Sequence, residues 1–294
     1  MKQEIIRLWS ACNQECLFCN QEEVFEKKSK KQILYELISF KRKWVERLVI
    51  SWWEPTIFKE ELYFTIITWK SLGFRDIEIQ SNAVLLSNYA YAKYLFDVGL
   101  NSSMISLHYF EGIVSDDLTQ RKWTFAKTVS WINNLVKAWV KTSLNIVINR
   151  RNYTNILEYL YFINTHIVWF DNISLSIVVP WELTIKNDLL PRYSELSRYL
   201  IEAYDYCIQY NIDFQNPWCW IPVCFIKDYA RYSLEYQNLI NKNKYDEFIL
   251  EKNSPAKIKS EACEKCIFNN YCLWLWRWYV GLYWFDEVKP IVNM

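Results

Sequence analysis

The sequence lacks the features of a membrane, exported or nucleic-acid-binding protein. No apolar run among its 294 residues approaches the length of a membrane-spanning helix. Its start, Met1 to Glu4 followed by a short strand pattern, is not a signal peptide. The net charge is only +1, which argues against a broad basic surface for nucleic acid. These absences predict a cytoplasmic protein that contacts neither a membrane nor nucleic acid.

Glycine is scarce, and tryptophan is abundant. The chain has 4 glycines, where the average usage of about 7% would give about 20. It has 16 tryptophans, and the two residue types together make 20. Trp44 and Trp139 follow helical patterns, where a C-terminal glycine is expected, and Trp52-Trp53 stands at a strand end before a turn. We hypothesise that the gene uses a code in which UGA means glycine. The alternative is a genuinely tryptophan-rich protein.

Histidine is also scarce, so the nine cysteines are the main candidates for metal ligands. In a reducing cytoplasm, clustered cysteines bind metals more often than they form disulfides. Cys12, Cys16 and Cys19 have three and then two residues between them. Three thiols on one loop can hold three corners of a cubane iron–sulfur cluster and leave the fourth iron open. Structural zinc wants four ligands, and only His108 and His166 could add to the cysteines. The pattern therefore favours an iron–sulfur cluster over zinc or three reduced core thiols.

A second group of cysteines occupies the C-terminal part of the chain. Cys263, Cys266 and Cys272 have two and five residues between them, and Cys219 and Cys224 lie upstream in a proline-containing segment. Four of these five thiols would complete one metal centre, and the spacing leaves open which four. A structural zinc site remains the alternative to a cluster. Cys207 has helical neighbours and is interpreted as an ordinary buried thiol.

Strand and helix patterns alternate through the first two thirds of the chain. Six strand–helix repeats at this spacing are typical of parallel crossovers, which curl into an open barrel. The predicted fold is α/β, a partial (β/α)6 TIM-like barrel over residues 1–210 with a cysteine-rich C-terminal extension over residues 211–294. Chemistry in such barrels lies at the C-terminal ends of the strands, where the first cysteine loop begins. The predicted strands are 5–8, 47–51, 76–80, 104–107, 144–148 and 173–179, and the predicted helices are 31–43, 59–72, 85–98, 122–138, 153–165 and 191–210.

Two motifs in the predicted barrel resemble those of the radical S-adenosylmethionine (SAM) superfamily. The spacing of Cys12, Cys16 and Cys19, with Phe18 before the last of them, resembles the cluster motif of that superfamily. The segment Ser51-Trp-Trp-Glu-Pro-Thr56 resembles its Gly-Gly-Glu-Pro-Thr motif with both glycines written as tryptophan. The resemblance covers about residues 4–180.

The resemblance implies a radical enzyme. The three cysteines would ligate a [4Fe-4S] cluster whose fourth iron is chelated by SAM. One electron from a donor such as a flavodoxin or ferredoxin would cleave SAM to methionine and a 5′-deoxyadenosyl radical, which abstracts hydrogen from the substrate. The cofactor carries this chemistry, and the protein positions it. A peptide is the first expectation for the substrate, and a cofactor precursor or other small molecule is the second.

The resemblance also implies roles for residues at the strand ends. Trp52, Trp53 and Glu54 would line the methionine end of SAM. Ser81, Asn82 and Ser106 would lie near its ribose or carboxylate, and Phe18 near its adenine. If Trp52 and Trp53 are literal, two indoles would fill the space where methionine should lie.

These assignments have structural alternatives. Glu54 could cap the helix that begins at Pro55 and Thr56, and Ser81 and Asn82 could be turn formers. His108 is either a partly buried polar residue or a residue for substrate or proton transfer.

With glycine restored, residues 272–279 resemble the auxiliary-cluster region of SPASM-type members, which implies one further cluster in the extension. The alternative function is a non-catalytic iron–sulfur or zinc-binding protein on the same fold. Only the enzyme would form 5′-deoxyadenosine.

Overall fold

The computed structural model describes residues 2–19, 24–86, 88–215, 221–241 and 254–293. Its main sheet contains every strand that the sequence predicts, with ends that differ by up to three residues. It also contains a two-residue seventh strand that the sequence did not predict. The strands are β1 Gln3–Ile6, β2 Arg47–Ile50, β3 Asp76–Ser81, β4 Ser102–Ser106, β5 Lys141–Ile148, β6 Asn172–Ile177 and β7 Phe214–Gln215.

The sheet follows the chain in sequential order from β1 to β7. The pairs from β1 to β5 are parallel, and their register places Ile6 opposite Ile50 and Ile50 opposite Ile79. Parallel neighbours require a crossover between them, and helices supply it here. The predicted α/β class is therefore confirmed as a seven-stranded, mostly parallel sheet that is open rather than a closed barrel.

Helices lie between the strands. Ser29 starts the first of them with a reciprocal cap, in which its backbone N–H donates to Gln32 Oε1 (2.8 Å). Among the described residues, no helix is long and apolar enough to cross a membrane. The helices are α1 Lys30–Arg42, α2 Lys59–Ser71, α3 Tyr89–Val98, α4 Gly112–Thr119, α5 Phe125–Lys137, α6 Ile156–His166, α7 Glu182–Lys186, α8 Tyr193–Gln209, α9 Leu234–Asn241 and α10 Arg277–Tyr283.

The sequence did not predict α4, α7, α9 or α10, and it placed the start of α5 at residue 122 instead of Phe125. The apolar periodicity of α4 is weak because Ile113 is 88% exposed. The side chain of Asp116 in α4 accepts hydrogen bonds from the backbone N–H groups of Thr124 (3.1 Å) and Phe125 (3.2 Å). This carboxylate satisfies donors at the start of α5 and thereby fixes where that helix begins.

The described chain divides into two compact units, residues 1–146 with 161–173, and residues 147–160 with 174–294. In the first unit, α1 packs against α2, α2 against α3, and α3 against α5. The second unit has a small core of Val223, Ala230, Phe268 and Ile291. It also has an antiparallel pair, β8 Lys257–Ile258 and β9 Leu275–Trp276. The boundary predicted at residue 210 separates a barrel from a C-terminal extension, whereas these units are defined by compact packing. The predicted boundary therefore stays a prediction.

One face of the sheet in the first unit carries a polar network. Glu78 on β3 lies opposite Ser102 on β4 and forms an ion pair with Arg47 of β2. Gln80 donates to Glu78 (3.1 Å) and accepts a hydrogen bond from the hydroxyl of Ser51 (2.6 Å). Buried polar groups stabilise a fold only when their partners are present, so this network fixes the relative position of three neighbouring strands.

We expect Glu78→Gln to lower the free energy of unfolding by about 2 kcal/mol, because it leaves the charge of Arg47 partly buried without its partner. The Glu78 side chain is 6% exposed and that of Arg47 is 24% exposed. Asp97→Asn is the control, since the Lys93–Asp97 pair is about half exposed, and it should change stability by less than about 0.5 kcal/mol. Urea unfolding of both variants measures the two losses of stability. Equal losses would contradict a stabilising role of the Glu78–Arg47 ion pair.

Candidate functional site

The first cysteine group lies on the loop that follows β1. The backbone N–H of Cys19 donates to the carbonyl of Cys16 (3.0 Å), which turns the loop back on itself. Glu15 and Leu17 donate backbone hydrogen bonds to the C-terminal end of α4, at 3.1 and 3.0 Å. Helix α4, which the sequence did not predict, therefore anchors the loop that carries the predicted ligands. All three thiols of the loop are half-buried.

The three thiols affect one another electrostatically. The pKa of Cys12 is raised to about 11, mainly by burial, with Glu54 and Cys19 also contributing. Burial also raises the pKa of Cys16, with Cys19 and Cys12 adding to the shift. Among the described residues, no three Cys, His, Asp or Glu side chains converge as they would around a single ion. Three thiolates on one loop fit three corners of a cubane cluster, whereas a structural zinc site takes four protein ligands.

Glu54 is completely buried where β2 ends, and it connects three segments. Its carboxylate accepts hydrogen bonds from the backbone and hydroxyl of Thr56, from the hydroxyl of Ser81 (2.7 Å) and from the backbone of Asn82 (2.7 Å). Its own N–H donates to Ala11 in the cysteine loop (3.1 Å). Burial raises the pKa of this carboxyl, and the four donated hydrogen bonds act in the opposite direction. By accepting the backbone N–H of Thr56, Glu54 caps the short 3₁₀ helix Pro55–Ile57. This is the capping role that the sequence analysis gave as the alternative to cofactor binding.

Asn82 links the end of β3 to the cysteine loop. Its amide nitrogen donates to Asn13 Oδ1 (2.7 Å) and lies 3.7 Å from Cys12 Sγ. Its amide oxygen accepts the N–H of Val84 (3.1 Å), and the Ser81 hydroxyl accepts the N–H of Ala83 (2.8 Å). Both side chains thus form local turns in addition to their longer contacts. The structure therefore brings Cys12, Ser81 and Asn82 together.

Two other predicted residues lie at this end of the sheet. Ser106 ends β4, is half-buried and lies opposite Asn145 in the register. The ring of Phe18 packs edge-on against His108, with 4.6 Å between the ring centroids. His108 is buried, and burial lowers its pKa to about 4. This imidazole is neutral near pH 7 and forms part of the wall beside the cysteine loop.

Trp52 and Trp53 conflict with the predicted SAM site. Their φ angles are 80° and 59°, in the left-handed region that glycine adopts readily and residues with a Cβ adopt rarely. The guanidinium of Arg7 lies 3.7 Å from the ring centroid of Trp52. The backbone between β2 and Glu54 has the form expected of a glycine segment. The indole side chains of Trp52 and Trp53 do not fit a cofactor that must approach that backbone closely.

In the second unit, Cys224, Cys263, Cys266 and Cys272 line one cavity. Cys219 lies outside the described residues. Burial raises the pKa of Cys224 to about 12, with further contributions from Cys263, Cys266 and Glu235. Burial, followed by Glu235, also raises the pKa of Cys272.

Glu235 is a buried residue that the sequence analysis missed. Its Oε1 lies 4.0 Å from Cys272 Sγ. The two residues are 37 positions apart in the sequence, so no local sequence pattern could predict this contact.

The sequence profile of the Radical SAM superfamily matches residues 6–162, more than half of the chain. The chain is similar to proteins named "Probable GTP 3′,8-cyclase". It is 28% identical over 159 residues to that of Saccharolobus islandicus (53% of this chain, 50% of the relative). It is 32% identical over 155 residues to that of Saccharolobus solfataricus (50% of this chain, 48% of the relative). The chain thus spans about half the length of the curated relatives it matches.

Solved structures share the fold. Streptococcus suis SuiB bound to S-adenosylmethionine has a TM-score of 0.61 at 19% identity and covers 73% of this chain and 50% of its own. SuiB bound to the precursor peptide SuiA has a TM-score of 0.62 at 18% identity, covering 77% and 51%. Native anSMEcpe with bound AdoMet and Cp18Cys peptide has a TM-score of 0.60 at 13% identity, covering 72% and 63%. At these identities the likeness shows the fold alone.

His108 should make stability depend on pH. In the unfolded chain it binds a proton near its ordinary pKa of 6.5, whereas the folded side chain stays neutral down to about pH 4. The contribution of His108 to the free energy of unfolding therefore keeps its full value above pH 6.5. It falls by about 3 kcal/mol in total as the pH drops from 6.5 towards 4, because only the unfolded chain binds the proton there. Urea unfolding at several pH values should show a shallower acid loss in His108→Gln. The exposed His166→Gln is the control, and equal profiles for both variants would contradict the assignment.

Proposed function

Because the chain belongs to the Radical SAM superfamily of enzymes, we propose that Cys12, Cys16 and Cys19 hold a [4Fe-4S] cluster that uses SAM. When bound, these groups supply a 5′-deoxyadenosyl radical that abstracts hydrogen from the substrate. The observation that carries the proposal is the half-buried loop of three thiols, which is hydrogen-bonded to α4 and lies against the Glu54 and Asn82 network.

The surrounding residues would hold and tune the cluster ligands. The backbone N–H of Gln14 donates to Cys12 Sγ (3.4 Å), and the amide of Asn82 approaches the same sulfur. Hydrogen bonds to ligating sulfurs stabilise their negative charge and shift the reduction potential of a cluster. Phe18 and the neutral His108 would exclude water on one side of the loop. These roles follow from contacts within the first unit.

The proposed substrate is a peptide, and a cofactor precursor is the second candidate. The peptide is favoured by the fold that the chain shares with SuiB and anSMEcpe, whose structures contain peptides. The cofactor precursor is favoured by sequence similarity to the proteins named GTP 3′,8-cyclase. The electron would come from an external donor such as a flavodoxin or ferredoxin. Superfamily membership favours this enzyme over a non-catalytic metal carrier.

We also propose a second, auxiliary [4Fe-4S] cluster held by Cys224, Cys263, Cys266 and Cys272. Four thiols complete the ligand set of a cluster used for electron transfer. These four line one cavity, and Cys263 contributes to the raised pKa of both Cys224 and Cys272. The cavity lies against the small apolar core of the second unit, which would shield the cluster from solvent. Structural zinc remains the alternative for this set of ligands.

The first test uses Cys12→Ala in the anaerobically reconstituted chain with glycine at positions 52 and 53. The variant should form no 5′-deoxyadenosine after reduction and addition of SAM, because the cluster loses a ligand. Cys207→Ala is the matched control, since Cys207 is a buried thiol of α8 outside both cysteine groups. The control should keep its activity. Equal product from Cys12→Ala would contradict the proposal, as would a chain that holds its cluster and never forms product.

The second test separates the two metal centres by Cys272→Ala. This variant should lose the iron and sulfide of one cluster, while the cluster at Cys12 stays. Metal and sulfide analysis, together with Mössbauer spectra, checks this. Zinc in the unaltered chain, or unchanged iron in Cys272→Ala, would contradict an auxiliary cluster.

A further inference from the structure

Tryptophan occupies an unusual share of the left-handed backbone positions. In the part of the chain that the structure describes, eleven residues other than glycine have positive φ, and seven of them are tryptophan. An L side chain is disfavoured in this conformation because its Cβ crowds the neighbouring carbonyl. The seven are Trp44, Trp52, Trp53, Trp123, Trp139, Trp274 and Trp284.

Two of these tryptophans end helices in the way that glycine does. After α1, Trp44 N–H donates to Lys41 (3.1 Å) and Val45 N–H donates to Phe40 (3.1 Å). Gly73 and Phe74 make the same pair of bonds after α2. Trp139 and the residue after it repeat the pattern at the end of α5. This is the Schellman arrangement, whose left-handed residue is usually glycine.

At four of the seven positions the indole gains little from packing. Trp44 is 85% exposed, Trp139 is 84% exposed and Trp123 is 81% exposed. Trp284 is 70% exposed, with φ 56° and ψ −158°, a region that is essentially restricted to glycine. A strained backbone persists only where its surroundings hold it, and the solvent around these side chains supplies no such contacts.

Two other tryptophans are buried side chains of regular helices. Trp69 lies in the last turn of α2 and is fully buried. Its ring stacks on Phe74 with 3.8 Å between centroids, and its Nε1 donates to the carbonyl of Asp76 (3.1 Å). Trp131 is buried within α5. Nine tryptophans of the described chain therefore fall into two groups: two are buried within helices, and seven have the positive φ angles that favour glycine.

We infer that the natural protein carries glycine at the seven left-handed positions and tryptophan at Trp69 and Trp131. A gene in which UGG specifies tryptophan and UGA specifies glycine produces this division when UGA is translated as tryptophan. At positions 52 and 53 the change removes both indoles from the segment between β2 and Glu54, which gives a ligand access to the backbone. At position 274 it removes an indole that lines the four-cysteine cavity. The inference stands on backbone geometry and does not need the proposed function.

Mass spectrometry of the protein from its natural source tests this directly. Trypsin releases residues 123–127 and 138–141, which contain Trp123 and Trp139, and residues 60–70, which contain Trp69. The first two peptides should have the mass of their glycine forms, and the third should contain tryptophan. Tryptophan at 123 and 139, or glycine at 69, would overturn the inference.

Thermal unfolding gives an independent test on the chain as written. Trp44→Gly and Trp139→Gly should each raise the melting temperature by about 2–4 °C, because each relieves a left-handed L residue. Trp69→Gly should lower it by about 10 °C, because it empties a buried site inside a helix. A fall with Trp139→Gly as large as that with Trp69→Gly would overturn the inference.

SAM binding tests positions 52 and 53. Equilibrium dialysis should show at least tenfold tighter SAM binding by the double variant Trp52→Gly, Trp53→Gly than by the chain as written. Equal, measurable binding by both chains would overturn the inference at these two positions. If neither chain binds while the peptide masses and melting temperatures follow expectation, the proposed function fails and the glycine assignment stands.

Discussion

The buried carboxylate of Glu54 is the interaction on which the candidate site depends. It accepts four hydrogen bonds, from Thr56, Ser81 and Asn82, while its backbone holds the cysteine loop through Ala11. A buried acceptor with several donors is costly to disturb, because removing it leaves each donor unsatisfied. One residue thus joins the ends of two strands, through its side chain, to the loop that carries the predicted cluster ligands, through its backbone.

Contacts other than those of Glu54 also hold the cysteine loop in place. The backbone bonds to α4 fix the middle of the cysteine loop, and Asn82 reaches its first thiol. Phe18 and His108 add an apolar contact with a neutral imidazole. Cluster ligands need positions that are set before metal binds, since the protein supplies orientation and the cofactor supplies reactivity. The fold provides this at the C-terminal ends of β1 to β4, the position at which chemistry occurs in related barrels.

The sequence predicted the six longer strands, the parallel order and the cysteine loop, because these depend on local apolar periodicity and on motif spacing. It could not predict α4, whose exposed Ile113 weakens the helical pattern, although α4 anchors the loop. It also could not predict Glu235 beside Cys272, because no local pattern links residues so far apart in sequence. The glycine-like tryptophans were indicated by composition, but only backbone angles separate them from Trp69.

Electron paramagnetic resonance of the reduced, cluster-loaded chain with glycine at positions 52 and 53 tests the central claim most directly. If three thiols leave one iron open for SAM, the spectrum of the cluster at Cys12, Cys16 and Cys19 must change when SAM is added. The same chain carrying Cys16→Ala must show no such change. A spectrum that SAM leaves unaltered, from a chain that holds this cluster fully reduced, would contradict the account.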